Sequence, residues 1–397
     1  MTNKLMQRNA LPATAFPLDN PDWVLGTLVR ERRPVLPLYV VYPERIAEAA
    51  RQFISLFPGT AAFAVKTNPD ITVMQSLLQG GIKAFDVASL EEIKLVRSYS
   101  PTAELHFMHP VKMPEHIRAA YFDYGVRHFV LDHEEELYKI MRETDLAQDL
   151  NLTVRIALPK NDSALIDFSA KFGASYKEAL ELLEMCRPVS KVLGISFHVG
   201  TQSTDPESWR RAISYAAKLI KTSDVPVDSL NVGGGFPVPY VGDSLSSLEE
   251  YMQTITETLN EEKLSHLELM AEPGRVLVAK GAQLVTRVEL CKEKRLYIND
   301  GVYGGLFDAA SWVGTQYPVT AISSDRPFDG DMDDYTLAGP TCDSLDMMAG
   351  PFNLPADIGM GDWIVFNNVG AYSQTLRSDF NGFGHADKVC IYSEEGK

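Results

Sequence analysis

From Leu38 onward the chain alternates short apolar runs with longer stretches whose apolar residues recur every three or four positions, the signature of repeated strand–helix units. Residues 1–35 carry no clear period. The predicted strands are Ala61–Val65, Ile82–Asp86, Leu105–Met108, His128–Leu131, Leu152–Ile156, Leu193–His198, Ser229–Val232 and Leu267–Ala271. Between them lie the predicted helices Asp70–Gln79, Ser89–Arg97, Pro114–Tyr124, Glu134–Arg142, Lys177–Arg187, Pro206–Lys221 and Leu245–Leu259. Ser89 with Glu92 three residues on has the form of a helix cap, and Pro114 and Pro206 stand where a first turn accepts proline. Eight strands, each but the last followed by a helix, over about 210 residues predict a (β/α)8 TIM-type barrel.

After Arg275 the rhythm changes. Val276–Leu290, Arg295–Asn299, Tyr335–Ala338, Trp363–Asn367 and Lys388–Tyr392 read as β segments separated by Gly, Pro and Asp turns. The expected fold class is therefore α/β: a barrel over 36–272 and a C-terminal all-β domain over 273–397. An N-terminal segment, 1–35, is expected to pack with the β domain.

Composition changes this picture only by exclusion. A chain of 397 residues, 45% hydrophobic and 23% charged, can bury a large core, and no run approaches the roughly 20 apolar residues that span a bilayer. A soluble, cytoplasmic protein without a membrane partner is expected. The net charge of −16 argues against nucleic acid and suits a cationic small molecule. The four cysteines show no paired spacing, which predicts reduced thiols and no metal site. The acidic run from Asp325 to Asp334 lacks the ligand spacing of a calcium loop and reads as a solvated loop.

In a barrel the chemistry gathers where the strands end. Lys66 follows the first predicted strand, Asp86 ends the second, Arg155 lies in the fifth, and His198 ends the sixth. Gly233-Gly234-Gly235 follows the seventh and Glu272 the eighth, with Arg275 just beyond. A lysine desolvated at such a place suits Schiff-base chemistry, because burial lowers its pKa; the plainer reading is a solvated strand-end lysine. The glycine run lets backbone N–H groups approach an anion, or else forms a tight turn. Glu272 suits the protonated nitrogen of a pyridine ring, or a salt bridge to Arg275; His198 suits the ring's face, or an ordinary buried histidine. Together these groups describe the two anchors and the ring of pyridoxal 5′-phosphate.

Six motifs in order then carry a resemblance: Ala64-Val65-Lys66-Thr67-Asn68, Phe197-His198-Val199-Gly200, Gly233-Gly234-Gly235-Phe236-Pro237, Ala271-Glu272-Pro273-Gly274-Arg275, Gly339-Pro340-Thr341-Cys342-Asp343 and Gly370-Ala371-Tyr372. The chain resembles the pyridoxal-phosphate-dependent ornithine/lysine/arginine decarboxylase family of the alanine-racemase fold type, from about residue 36 to Phe383. The resemblance implies Lys66 as the Schiff-base lysine and phosphate binding by Gly234, Gly235, Gly274, Arg275, Tyr372 and Thr201. It implies Glu272 at the pyridine nitrogen, His198 on the ring, and Asp86, Glu92 and Arg155 around Lys66. It further implies a homodimer with shared active sites, to which a second subunit brings Cys342 as proton donor, Asp343 and Phe380, and in which Lys171 pairs with Asp346. Tyr303 and Asp343 are expected to bind substrate.

The implied reaction is decarboxylation of a basic L-amino acid, L-ornithine to putrescine first, lysine second, and arginine or a specialised diamino acid third. One departure bears on this choice. Nine residues after Tyr303, where the eukaryotic ornithine enzymes carry an Asp for the distal amine, stands Trp312, and Asp308 is the acidic residue expected to replace it. Diaminopimelate decarboxylases are disfavoured because Asp343, not Glu, follows Cys342; racemases lack the C-terminal motifs. A noncatalytic regulator on the same fold is disfavoured by retention of both Lys66 and Cys342.

Overall fold

The computed structural model describes residues 14–15, 21–159, 165 and 171–392. Eight parallel strands close a barrel: β1 (Thr60–Ala64), β2 (Ala84–Val87), β3 (Glu104–Phe107), β4 (His128–Leu131), β5 (Asn151–Arg155), β6 (Val192–Ser196), β7 (Ser229–Asn231) and β8 (Glu268–Ala271). β8 pairs with β1 through Met270 and Thr60, which removes every free edge. Each predicted barrel strand is present, with ends shifted by one or two residues.

The crossover helices are started by local chemistry. Asp70 caps Ile71–Gln79 by accepting from the Thr72 N–H at 2.9 Å. Ser175 with Glu178 and Ser247 with Glu250 form reciprocal capping boxes at the heads of Tyr176–Cys186 and Leu248–Glu261. Ser89 caps Leu90–Tyr99, but Glu92 reaches past it to the Ala88 N–H at 2.6 Å. Phe63, Phe85, Phe107, Phe129, Leu152 and Ile195 point outward from consecutive strands into the layer shared with the helices, and all are fully or almost fully buried. The alternate residues face the lumen, which is markedly polar.

The second domain is a mixed sheet built on the long strand β9 (Ala282–Lys292). With it stand β10 (Arg295–Ile298), β11 (Val319–Ile322), β12 (Met332–Ala338), β13 (Phe352–Pro355), β14 (Trp363–Phe366) and β15 (Asp387–Tyr392). β11 and β13 were not anticipated. Two expectations are corrected here. The β segment predicted from Val276 begins only at Ala282, because Arg275–Val278 is a short helix and Ala279–Gly281 a turn. A short apolar run such as Val276-Leu277-Val278 does not distinguish helix from strand, and here it turns Arg275 back into the barrel mouth.

The second correction concerns the boundary at residue 36. Leu38–Val41 lies between β9 and β15, antiparallel to the first and parallel to the second, so it belongs to the sheet and not to the barrel. Its four buried residues need apolar cover on both faces. Helix Pro21–Arg32 supplies it on one side: Val24, Leu25, Leu28 and Val29 pack with Leu38, Val40, Val285, Trp363 and Val365. This helix and the two-residue strand Thr14–Ala15, which pairs in parallel with Ile391 and Tyr392 of β15, are described parts of the segment expected to pack with the β domain.

Candidate active site

The first strand ends at Ala64, and a single turn of 3-10 helix, Val65–Thr67, swings Lys66 over the barrel mouth. Its Nζ lies 2.9 Å from Asp86 Oδ2, on the register-paired neighbouring strand. Asn68 fixes the turn from the far side, donating to the Gly370 carbonyl at 2.8 Å, while the Tyr372 N–H donates to the Thr67 carbonyl at 2.9 Å. Tyr372 holds the left-handed φ of 60°, so the second domain places its side chain in the mouth at some backbone cost. The site is thus built across the junction of the two domains.

Lys66, Asp86, Arg155, His198, Thr201, Gly235, Glu272, Gly274, Arg275 and Tyr372 line one cavity of about 190 Å³. Ten residues predicted from seven separate regions of sequence therefore meet. Gly234 stands beside them: a Cβ there would come within 2.6 Å of the Glu272 carbonyl and 3.2 Å of His198 Nε2. At Gly235, with φ of +102°, a Cβ would strike the Gly200 carbonyl at 2.2 Å. Only bare backbone fits this cradle.

The Arg275 guanidinium is buried, donates to the Tyr240 hydroxyl oxygen at 2.8 Å and pairs with Asp308 at 2.7 Å. Its Nε is buried with no hydrogen-bond partner among the described residues. A guanidinium so oriented, next to a glycine cradle, Thr201 and Tyr372, has the donor set that a phosphate completes. The anticipated alternative, a salt bridge between Glu272 and Arg275, is not what either group makes.

Glu272 instead accepts from Asn231 Nδ2 at 2.6 Å. Burial pushes its carboxyl up to about 7, and Asp86 adds to the rise. A carboxyl poised this way becomes a stable anion when a cation arrives beside it, as the protonated nitrogen of a pyridine ring would. Burial, with Arg155 and Lys66 nearby, holds the His198 imidazole well below its ordinary value, so a neutral ring faces the cavity. Its Nδ1 accepts from the Gly200 N–H at 3.0 Å.

Lys66 departs from expectation. Burial pulls its ammonium down, but Asp86, Tyr372 and Glu272 together outweigh that and hold it above its ordinary value. The lowering predicted from desolvation is corrected by these surrounding anionic and phenolic groups. Lys66 is consequently an ammonium in the cofactor-free chain, and it must lose a proton before its amine can attack a carbonyl. Asp86, 2.9 Å away, is placed to take part in that transfer.

The other predicted residues lie elsewhere. Tyr303 donates to Asp343 and its ring lies 4.9 Å from that of Phe380, while Cys342 is exposed and its N–H donates to Asn381 Oδ1 at 3.0 Å. None of these four lines the Lys66 cavity. Asp308, expected at the substrate's distal amine, is buried against Arg275 on the phosphate side, and its carboxylate is committed there. Trp312 is half exposed and lies outside the cavity. Asp346, expected to meet Lys171 of a second subunit, is buried and accepts from the Val302 N–H and from both the N–H and hydroxyl of Thr341. It organises its own loop.

Sequence reasoning missed His109, which lines the cavity with its ring 5.6 Å from that of Phe172. It also missed Asn231 and Tyr240, which hold Glu272 and Arg275. Asn231 sits two residues before the glycine run, a signal that was readable; Tyr240 and His109 carry none.

The site defines a class: a barrel whose lysine, glycine-lined cradle and buried carboxyl are the groups that would hold pyridoxal phosphate. A family model described as "Pyridoxal-dependent decarboxylase, pyridoxal binding domain" matches residues 43–279. The chain is 32% identical to decarboxylase flvG of Aspergillus flavus over 378 residues, 90% of this chain and 85% of that protein. It is 30% identical to the lysine/ornithine decarboxylase of Selenomonas ruminantium over 362 residues, 89% and 88% of the two chains. Among solved structures, the Paramecium bursaria Chlorella virus arginine decarboxylase bound to agmatine superposes with a TM-score of 0.80 at 27% identity, covering 93% of this chain and 99% of that one. The chain belongs to the family of pyridoxal-dependent decarboxylases; it is a carboxy-lyase, and its cofactor is pyridoxal 5′-phosphate. No helix among the described residues is long and apolar enough to cross a membrane.

Proposed function

We propose that this enzyme decarboxylates L-ornithine to putrescine and CO2, with L-lysine as its second substrate, in a homodimer whose active sites are shared. One observation carries the reading: the Cys342–Asp343 patch lies exposed, away from the Lys66 cavity, although decarboxylation calls for both a proton donor and a group that reads the side chain. A second copy supplies both by laying this patch across the cavity mouth. Phe380, Phe383, Leu345 and Leu376 are large apolar residues exposed around it, as an interface left uncovered would be.

When bound, the cofactor supplies an electron sink for the pair left on Cα as CO2 departs. The chain's residues do the rest. Lys66 would hold the cofactor's aldehyde end, Glu272 would keep the ring nitrogen protonated, and Arg275, Gly235, Thr201 and Tyr372 would hold the phosphate. Cys342 of one copy delivers a proton to Cα in the other copy's cavity. Asp343, its carboxyl held below the ordinary range by the Leu345 N–H and the Tyr303 hydroxyl, is an anion available to the distal ammonium. A single carboxylate reading one ammonium separates ornithine from lysine only by reach, worth about 1–3 kcal/mol for one methylene. Measurable activity on lysine follows.

The test is CO2 release from cofactor-loaded protein offered ornithine, lysine, arginine and diaminopimelate separately, with the amines identified. The highest kcat/KM is expected for ornithine and the next for lysine. Preference for arginine or diaminopimelate, or no release from any, overturns the substrate assignment.

A further inference from the structure

The barrel has a second open end. A cavity of about 80 Å³ is lined by the first residue of most strands, including Thr60, Glu104, His128 and Asn151, and so lies at the N-terminal mouth, opposite the cofactor cavity. Glu104 and His106, two residues apart on β3, face the lumen together, and His128 of β4 is the register partner of His106.

Glu104 Oε1 lies 3.1 Å from His106 Nε2 and 3.1 Å from His128 Nε2, and one donor atom from each residue falls within 4.8 Å of the others. His106 is only 5% exposed, yet its Nε2 makes no aligned hydrogen bond to any described residue, the nearby carboxylate included. Asn151 has the same defect: its Nδ2 faces His128 Nε2 at 3.0 Å, while its Oδ1 is buried without a partner. Half a turn of that amide exchanges the two atoms. Donor atoms crowded to about 3 Å, with His106 Nε2 and Asn151 Oδ1 buried and unpartnered, are an arrangement that an ion between them would satisfy. Metal–ligand bonds of about 2.0–2.2 Å give this spacing.

We propose that Glu104, His106 and His128, with Asn151 as a fourth ligand, bind one divalent late transition-metal ion, of which Zn2+ is the type, on the floor of the barrel. Two imidazoles and one carboxylate select such an ion over Ca2+ or Mg2+, which take oxygen ligands. The ion ties β3 to β4 and to the head of β5, far from the reacting atoms, so its effect is on the stability of the barrel and not on the chemistry.

The test uses cofactor-loaded protein stripped with a chelator, dialysed, and titrated with ZnCl2 by calorimetry, with bound zinc counted by elemental analysis. One Zn2+ per chain is expected, with a rise in Tm. Glu104→Gln, at a half-exposed position that tolerates the change, should weaken binding by at least about tenfold, and His106→Ala/His128→Ala should remove it. Retained cofactor absorbance and unchanged turnover at 25 °C establish that each variant is folded. No binding by the parent protein overturns the proposal. So does an unchanged titration in the double variant, which places the ion elsewhere, such as at the exposed Cys291 or Cys342. Should the double variant not fold, Glu104→Gln decides alone: parental affinity and the parental rise in Tm overturn the site.

Discussion

The two mouths of the barrel are both polar but are completed differently. At the C-terminal mouth three charged groups are met by residues from other elements: Lys66 by Asp86, Glu272 by Asn231, Arg275 by Tyr240 and Asp308. At the N-terminal mouth Glu104, His106 and His128 crowd together on adjacent strands, and His106 Nε2 is buried there without an aligned hydrogen bond. The difference shows that lumen polarity does not by itself mark the catalytic end. What marks it is delivery: loops that follow the strands bring a turn, a glycine cradle, a short helix and a tyrosine of the second domain to one place, whereas the floor has only strand residues.

The sharpest way to break this contrast is to remove one group from each mouth. Lys66→Ala should lower CO2 release by more than about a thousandfold, because no other amine among the described residues lines the cavity, while His128→Ala leaves turnover within about twofold. Equal losses from both would erase the distinction. Cys342→Ala should lower turnover by roughly a hundredfold or more while the cofactor's visible absorbance stays, since this thiol lies outside the cavity of its own chain. Mixing that variant with Lys66→Ala should restore part of the activity; no recovery after verified subunit exchange counts against shared sites.

A third effect is in stability. The Glu272 carboxyl titrates near pH 7 when folded against 4.5 in its unshifted state, so across that window the folded chain holds a proton that the unfolded chain has released. Cofactor-free protein should therefore lose stability as pH rises from about 4.5 to about 7, by up to about 3 kcal/mol. Thermal melts of Glu272→Gln should lack this component; an identical pH slope in both proteins would refute it. The smallest effect is expected at Tyr240→Phe, which takes one hydrogen bond from Arg275 and should weaken cofactor binding by roughly tenfold, or about 1–2 kcal/mol, measured by cofactor titration.

The C-terminal mouth was legible in sequence because its residues are marked locally. Lys66 precedes Thr-Asn-Pro, Gly233–Gly235 is three consecutive glycines at a strand end, and Glu272 and Arg275 flank a Pro-Gly turn. Strand alternation gave the barrel because outward residues such as Phe63 and Phe85 carry the period. The floor was not legible. His106 and His128 are 22 positions apart, and only the register between β3 and β4 makes them neighbours. Asp308 and Asp346 show a related limit: an acidic residue looks the same in sequence whether it awaits a ligand or serves a buried loop, and here both are buried with partners in their own chain. Leu38–Val41 was assigned to the wrong side of a boundary because an apolar tetrapeptide carries no sign of which sheet will take it.

The hydrogen bond from the Tyr372 N–H to the Thr67 carbonyl has a consequence for how this protein comes into being. Tyr372 can be held there only once the sheet that carries it is assembled, and that sheet contains both Leu38–Val41 and Asp387–Tyr392, lying side by side. A ribosome must release residue 392 before they can pair. Throughout synthesis, then, Lys66 is already made while the clasp from Tyr372 is not, and the mouth around Lys66 closes only when both ends of this long pairing have met.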